Sequence, residues 1–207
     1  DAMLAALPEA VGGEPERFVG TVAEAFLAGA TIQEVRGALL DGATGGPRVA
    51  PVVKRRWTEQ FEALRGRSDE YKASAGRGIR VFLASMGPVS QHKARADFTA
   101  GFMEAGNFEV LGNNGFASVD EAVAAASESG ADVAVICSTD ETYPELVPPL
   151  ARGIKSACPK TTVLLAGAPV PEMESVYREA GVDDFIHVRA DCLRVLSDIQ
   201  KKRGAYR

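Results

Sequence analysis

The chain predicts an α/β protein: a five-stranded parallel sheet, strand order 2-1-3-4-5, preceded by a segment with helical patterns only. Three observations carry that expectation. From about residue 79 onward, short apolar runs alternate with helical patterns, the grammar of a parallel sheet covered on both faces. Before Gly78 there is no convincing strand. The composition, 46% hydrophobic and 25% charged, is that of an ordinary globular chain.

Taken in order, Leu4, Leu7 and Val11 share helical spacing, interrupted by Pro8. Phe18, Val22, Ala25 and Phe26 recur at i, i+4, i+7 and i+8, one face of an amphipathic helix. Glu14-Pro15-Glu16 opens that helix, since proline is tolerated in the first turn and acids favour the positive end of the dipole. Gly29 closes it. Thr31 caps a further helix through Leu40, and Glu34 completes a capping box. Residues 41–52 read as loop on glycine and proline content. Trp57, Phe61 and Leu64 restart a helical stripe that fades into the polar RGRSDEYKASAGRG, a candidate linker. So few aliphatic stripes make a thin core. Residues 1–78 therefore read as the tail of a larger domain packed on parts outside this chain; a small free-standing helical domain is the alternative. The start at Asp1, directly in helical pattern, fits a piece of something longer.

In the second region, 79–207, strands are expected at 79–84, 109–111, 133–137, 162–166 and 184–188. Helices are expected at about 92–105, 118–129, 142–156, 171–180 and 190–202. Ser118 with Glu121 makes a capping box, and Gly130 and Gly181 stand at helix C-terminal positions. Five such units fit a flavodoxin-like sheet, whose topological switch point lies between the first and third strands. The loop after the first strand, MGPVSQHK, is thus where a ligand would sit.

The net charge of −5 is spread over interspersed acids and bases, with no basic stripe to suggest nucleic acid. No apolar run approaches the roughly 20 residues that span a bilayer. The start lacks the charged and apolar regions of a secretory signal. Three cysteines, Cys137, Cys158 and Cys192, without CxxC spacing argue against a disulfide framework and a zinc site. A cytoplasmic setting is the expectation.

Several stretches resemble the methylmalonyl-CoA mutase family. VAVICSTDETYPELVPPLARGIK (133–155) is similar to the third strand and following helix of its cobalamin-binding domain. VLLAGAPVPEMESVYREAGVDDFIHVRADCLRVLSDIQ (163–200) resembles its last two βα units. PERFVGTVAEAFLAGATIQEVRGAL looks like the closing segment of the family's substrate-binding TIM barrel, and RRWTEQFEALRGRSDEY like the stretch joining barrel to cobalamin domain. The resemblance implies a division into 1–78, the helical end of a barrel domain plus linker, and 79–207, a cobalamin-binding-like domain.

In that family the first loop carries Asp-x-His-x-x-Gly, whose His is the lower axial ligand of cobalt. Aligned on Met86-Gly87, Val89 stands at the Asp, Gln91 at the His and Ala94 at the Gly. A neutral amide is a poor substitute for imidazole at a transition metal, and Val89 cannot accept the hydrogen bond that orients a ligating His. Ser138 and Thr139 keep hydroxyls like those the family places near the corrin, while Asp140 and Glu141 replace small residues. The family's Gly-Gly pair beside the nucleotide tail is Gly167-Ala168 here. The degenerate cofactor positions are therefore Val89, Gln91, Ala94, Ser138, Thr139, Gly167 and Ala168, with His92 as a weak alternative ligand and no catalytic or metal-binding residue. The resemblance implies the non-catalytic small subunit of a heterodimeric mutase. Its expected partner is a catalytic large subunit. Adenosylcobalamin is expected in the holoenzyme and none on this chain. Two alternatives remain: a cobalamin-binding domain with altered ligation, and a cofactor-free interaction module.

His187 reads as a packing or hydrogen-bonding residue, Cys137 as a small buried hydrophobe, and Asp183-Asp184 as a turn. Other users of this sheet fit poorly. A receiver domain needs acids where Ala84-Ser85 and Cys137-Ser138 stand, and a flavodoxin needs a richer phosphate loop than MGPVSQHK.

Overall fold

Five strands form where the apolar runs lie: β1 (Arg80–Ser85), β2 (Glu109–Leu111), β3 (Val133–Cys137), β4 (Thr162–Ala166) and β5 (Asp184–Ile186). All pairings are parallel and the order is β2-β1-β3-β4-β5, as the alternation predicts. The computed structural model describes residues 2–11, 13–40 and 52–205. Most of the expected 41–52 loop lies outside the described residues.

The helices of the second region are α4 (Glu59–Ala75), α5 (Val89–Glu104), α6 (Val119–Ser129), α7 (Tyr143–Ala157), α8 (Pro171–Glu179) and α9 (Cys192–Lys202). Successive strand residues point to opposite faces, so the sheet has two cores. Phe82, Ala84, Ile136, Val163 and Leu165 pack with Ala122, Leu150 and Tyr177 from α6, α7 and α8. Val81, Leu83, Val135, Leu164 and Ile186 pack with Leu64, Met103 and Leu196 from α4, α5 and α9. Full burial on both sides explains why β3 and β4 are unbroken apolar runs.

Local signals place several boundaries. The Ser118–Glu121 capping box forms, with Gly130 left-handed at the other end of α6. Asp191 caps α9 through the amide of Arg194. Three expectations need correction. First, α5 begins at Val89, directly after Pro88, three residues before the expected start. Val89, Gln91 and Ala94 therefore lie in its opening turns and not in a loop. Second, β5 ends at Ile186, short of the expected 188. Third, the polar stretch after Leu64 is helix: α4 runs to Ala75, and Leu64 and Ser68 are buried. Trp57, expected to head that stripe, is fully exposed and precedes the helix.

The chain divides into two compact units, Asp1–Lys54 and Arg55–Arg207. The division falls upstream of the Gly78 boundary read from the sequence, because α4 packs on α9 as part of the α/β unit. The first unit holds α1 (Ala2–Ala10), α2 (Pro15–Leu27) and α3 (Ile32–Leu40). Proline opens α2, and the Thr31–Glu34 capping box forms with Thr31 N donating to Glu34 Oε2 at 2.8 Å. Its core is small, with Leu7, Ala25 and Val35 buried.

Candidate functional site

The C-terminal ends of β1, β3 and β4 lie side by side and deliver three loops to one edge of the sheet. They carry Met86-Gly87-Pro88, then Ser138 to Thr142, then Gly167 to Val170. This edge holds the topological switch point, the usual ligand crevice of such sheets.

The first two loops are tied together. The Met86 amide donates to the Cys137 carbonyl at 2.9 Å, and Ser138 Oγ donates to the Met86 carbonyl at 3.3 Å. Thr142 Oγ1 donates to Ser138 Oγ at 3.0 Å. Ser138 is thus a buried structural hydroxyl and Thr139, half-buried, is its neighbour at the rim. On its other side the first loop is held by Phe116, whose carbonyl accepts from the Gly87 amide at 3.0 Å.

Gly87 has a φ of +78°, a conformation that favours glycine. Gln91, one turn into α5, folds back over it. A Cβ built on Gly87 would lie 2.2 Å from Gln91 Oε1, so the amide already occupies that space. Val89 and Ala94 are exposed on α5. His92 is buried, with Nδ1 3.0 Å from the Gly87 carbonyl oxygen. A carbonyl oxygen only accepts, so Nδ1 is the donor in that contact. His92 Cε1 lies against Gly115.

The gap between the second and third loops is occupied too. Arg95 Nη2 donates to both carboxylate oxygens of Asp140, at 2.8 and 2.9 Å. Beneath the pair lies Gly167, where a Cβ would meet Tyr143 Cε2 at 3.1 Å, Asp140 Oδ1 at 3.3 Å and Arg95 Nη1 at 3.4 Å. Ala168 is exposed beside it. The Tyr143 hydroxyl accepts from the Ser138 amide at 3.1 Å, with the Ala166 carbonyl at 2.7 Å and the Ser138 carbonyl at 2.9 Å as acceptors for its proton. Burial pushes this phenol well above its ordinary pKa. Tyr143→Phe should cost about 1–3 kcal/mol, because the Ser138 amide and Ala166 carbonyl lose a buried partner. An unchanged urea midpoint would contradict that role.

The sequence reading singled out Gln91, Ser138, Thr139 and Gly167, and the fold brings them to one edge. It missed Arg95 and Tyr143. Nothing local marks the Arg95–Asp140 pair, whose members are 45 residues apart. The only hint was that an acid stands at 140 where small residues were expected.

Cys137 is fully buried behind this edge, and burial raises its thiol to about 12, which leaves no thiolate for nucleophilic chemistry. His187 Nδ1 accepts from the Arg189 amide at 3.2 Å, a local hydrogen bond. Asp183 binds Lys155 Nζ at 2.6 Å and the Val163 amide at 2.7 Å, which ties the turn before β5 to α7 and β4. Among the described residues no group of three or more His, Cys, Asp or Glu is placed to hold a metal ion, and no helix is long and apolar enough to cross a membrane.

No family model matches the chain. Curated proteins do. A methylmalonyl-CoA mutase small subunit from Streptomyces virginiae is 34% identical over 158 residues, 76% of this chain and 24% of the relative. One from Porphyromonas gingivalis is 28% identical over 158 residues, 75% of this chain and 24% of the relative. A probable methylmalonyl-CoA mutase small subunit from Mycobacterium bovis is 32% identical over 162 residues, 77% of this chain and 25% of the relative. The chain therefore spans about a quarter of the length of the curated relatives it matches. Among solved structures, a CheY-like protein from Pseudomonas aeruginosa has a TM-score of 0.47 at 24% identity, covering 60% of this chain and 94% of its own. A cobalamin-binding protein from Desulfitobacterium hafniense has a TM-score of 0.48 at 18% identity, covering 96% and 98%. Neither structural likeness carries an argument about function.

Proposed function

The chain is a sequence relative of methylmalonyl-CoA mutase small subunits, and from that premise we propose that it is the C-terminal portion of such a subunit, structural and not itself catalytic. The holoenzyme would be a cytoplasmic isomerase of propionate metabolism that interconverts methylmalonyl-CoA and succinyl-CoA. Adenosylcobalamin would be held by a catalytic large subunit, the partner of this chain in a heterodimer.

One observation carries the reading: the edge where this fold takes ligands is occupied by the chain's own side chains, with Gln91 over Gly87 and the Arg95–Asp140 pair over Gly167. The residues present do not fit a corrinoid ligated from below. Gln91 offers an amide at the axial position and Val89 no acceptor. His92 is buried, its Nδ1 engaged by the chain's own backbone. The α/β unit would then contribute surface, through an interface of the large obligate kind, above about 2,000 Å².

The first unit would be the closing segment of a substrate-binding barrel. Val19, Leu27 and Ile32 are 63%, 88% and 76% exposed, apolar side chains that the rest of such a barrel would cover.

Co-expression with the large subunit followed by size-exclusion chromatography tests the proposal. Co-elution as one species is the expected result. A chain that elutes alone, beside a large subunit that is fully active without it, would overturn it.

A further inference from the structure

The missing axial imidazole is only one of two obstacles to a cofactor at this edge. The second is steric and lies at residues that no motif marks. The gap above β3 and β4 is bridged by Arg95 from α5 and Asp140 from the loop after β3, and the two meet directly over Gly167 of the loop after β4. A helix and a loop thus meet over a third segment. The Arg95 side chain is 30% exposed and that of Asp140 67%, so the pair sits at the mouth and not in the core. At that exposure its attraction is modest. Its effect is volume: the two side chains stand where a ligand would have to approach the backbone of Gly167, the position that the resemblance sets beside a corrinoid's nucleotide tail. On the first loop, Gln91 Oε1 takes the equivalent space over Gly87.

We infer that Arg95 and Asp140 form a plug that closes this edge to the nucleotide tail of a corrinoid, so that exclusion does not depend on the lost axial ligand alone. The inference rests on the reading of this edge as a degenerate cobalamin-type cleft, and it adds the residues that keep it shut. Beneath the plug the floor is intact: Ser138 and Tyr143 are hydrogen-bonded within it and Gly167 keeps its lack of a side chain. Truncating both members of the pair leaves no unpaired charge behind, so the fold should tolerate the change.

The test compares three variants of the whole chain with the parent, using hydroxocobalamin and dicyanocobinamide as probes and retention of corrin absorbance through gel filtration as the readout. The first variant restores the ligand motif alone, Val89→Asp with Gln91→His and Ala94→Gly. The second removes the pair alone, Arg95→Ala with Asp140→Ala. The third combines both sets. The plug predicts that the first retains no more hydroxocobalamin than the parent. The third should retain at least about tenfold more, a gain of about 1.4 kcal/mol. Dicyanocobinamide, which lacks the nucleotide tail, should be retained equally by the parent and the second variant. Binding by the first variant equal to that of the third would overturn the inference, as would failure of the third variant to gain hydroxocobalamin while its far-ultraviolet dichroism matches the parent. In the third variant, Arg95→Asp with Asp140→Arg in place of the two alanines rebuilds the cover and should exclude hydroxocobalamin again. None of these outcomes depends on association with a large subunit, so the plug and the proposed partnership can fail separately.

Discussion

Replacing Asp132 with alanine is expected to destabilise the α/β unit by about 3 kcal/mol, because it breaks a largely buried charge network. Asp132 lies just before β3, and its side chain is 7% exposed. Its carboxylate accepts from Arg77 Nη1 at 2.6 Å, Arg77 Nη2 at 3.1 Å and the Arg80 amide at 3.0 Å, and Arg203 Nη1 is 3.7 Å away. These contacts tie the entries of β1 and β3 to the end of α9. Arg77 is 39% exposed, so solvent screens part of the loss, which keeps the figure at the lower end for a buried pair. Burial opposes ionisation of Asp132, but the hydrogen bonds from Arg77 and the Arg80 amide and the guanidinium charges outweigh it, and its pKa lies below the ordinary value. A depressed carboxylate contributes stability in full above its unfolded pKa of about 3.9, and loses it as the pH falls through the lower folded value. The gap between the parent and Asp132→Asn should therefore be widest near neutrality and shrink below about pH 4. Urea unfolding at several pH values measures it; a gap that stays constant to pH 2 would rule out the network as its source.

The second large effect concerns α4. Gln200 of α9 is fully buried, with Nε2 donating to the Leu64 carbonyl at 2.7 Å and to Ser68 Oγ at 2.8 Å, and Oε1 accepting from Arg67 Nε at 3.0 Å. Ser68 Oγ in turn donates to the Gly106 carbonyl at 2.6 Å. Gln200→Ala should cost about 2–3 kcal/mol through lost partners and the cavity left behind. The loss should be local. Amides of α4 should exchange with solvent much faster, whereas those of β1, β3 and β4 follow only the global change. Unchanged protection in α4 would mean that the helix is held by something other than this contact, and would remove the main reason for assigning it to the α/β unit.

Much of the fold was legible because its signals are local. The alternation of short apolar runs with helices implies parallel strands, since each crossover needs a helix, and five such units fit the flavodoxin-like order 2-1-3-4-5 that the sheet adopts. The capping boxes at Thr31 and Ser118 are closed within three residues and depend on nothing else. The assignment of Val89, Gln91 and Ala94 to the family's motif positions rests on residue types at fixed spacing alone. The same spacing misplaced the context of those residues. Nothing in MGPVSQHK announces that α5 starts at once after Pro88, because no capping side chain marks the start.

What only the tertiary structure decided is where distant residues meet. The polar stretch after Leu64 reads as linker, because its buried side rests on Leu64, Ser68 and a glutamine more than 130 residues away. Arg95 and Asp140 become neighbours because β1, β3 and β4 are adjacent in the sheet, which sets α5 and the β3–α7 loop at one edge. The sequence by itself determined the elements, since backbone preference and burial period act within a few residues. Closure of the edge by a plug required the strand order first, since side chains from a helix and a distant loop can fill a common space only after the sheet has set them side by side.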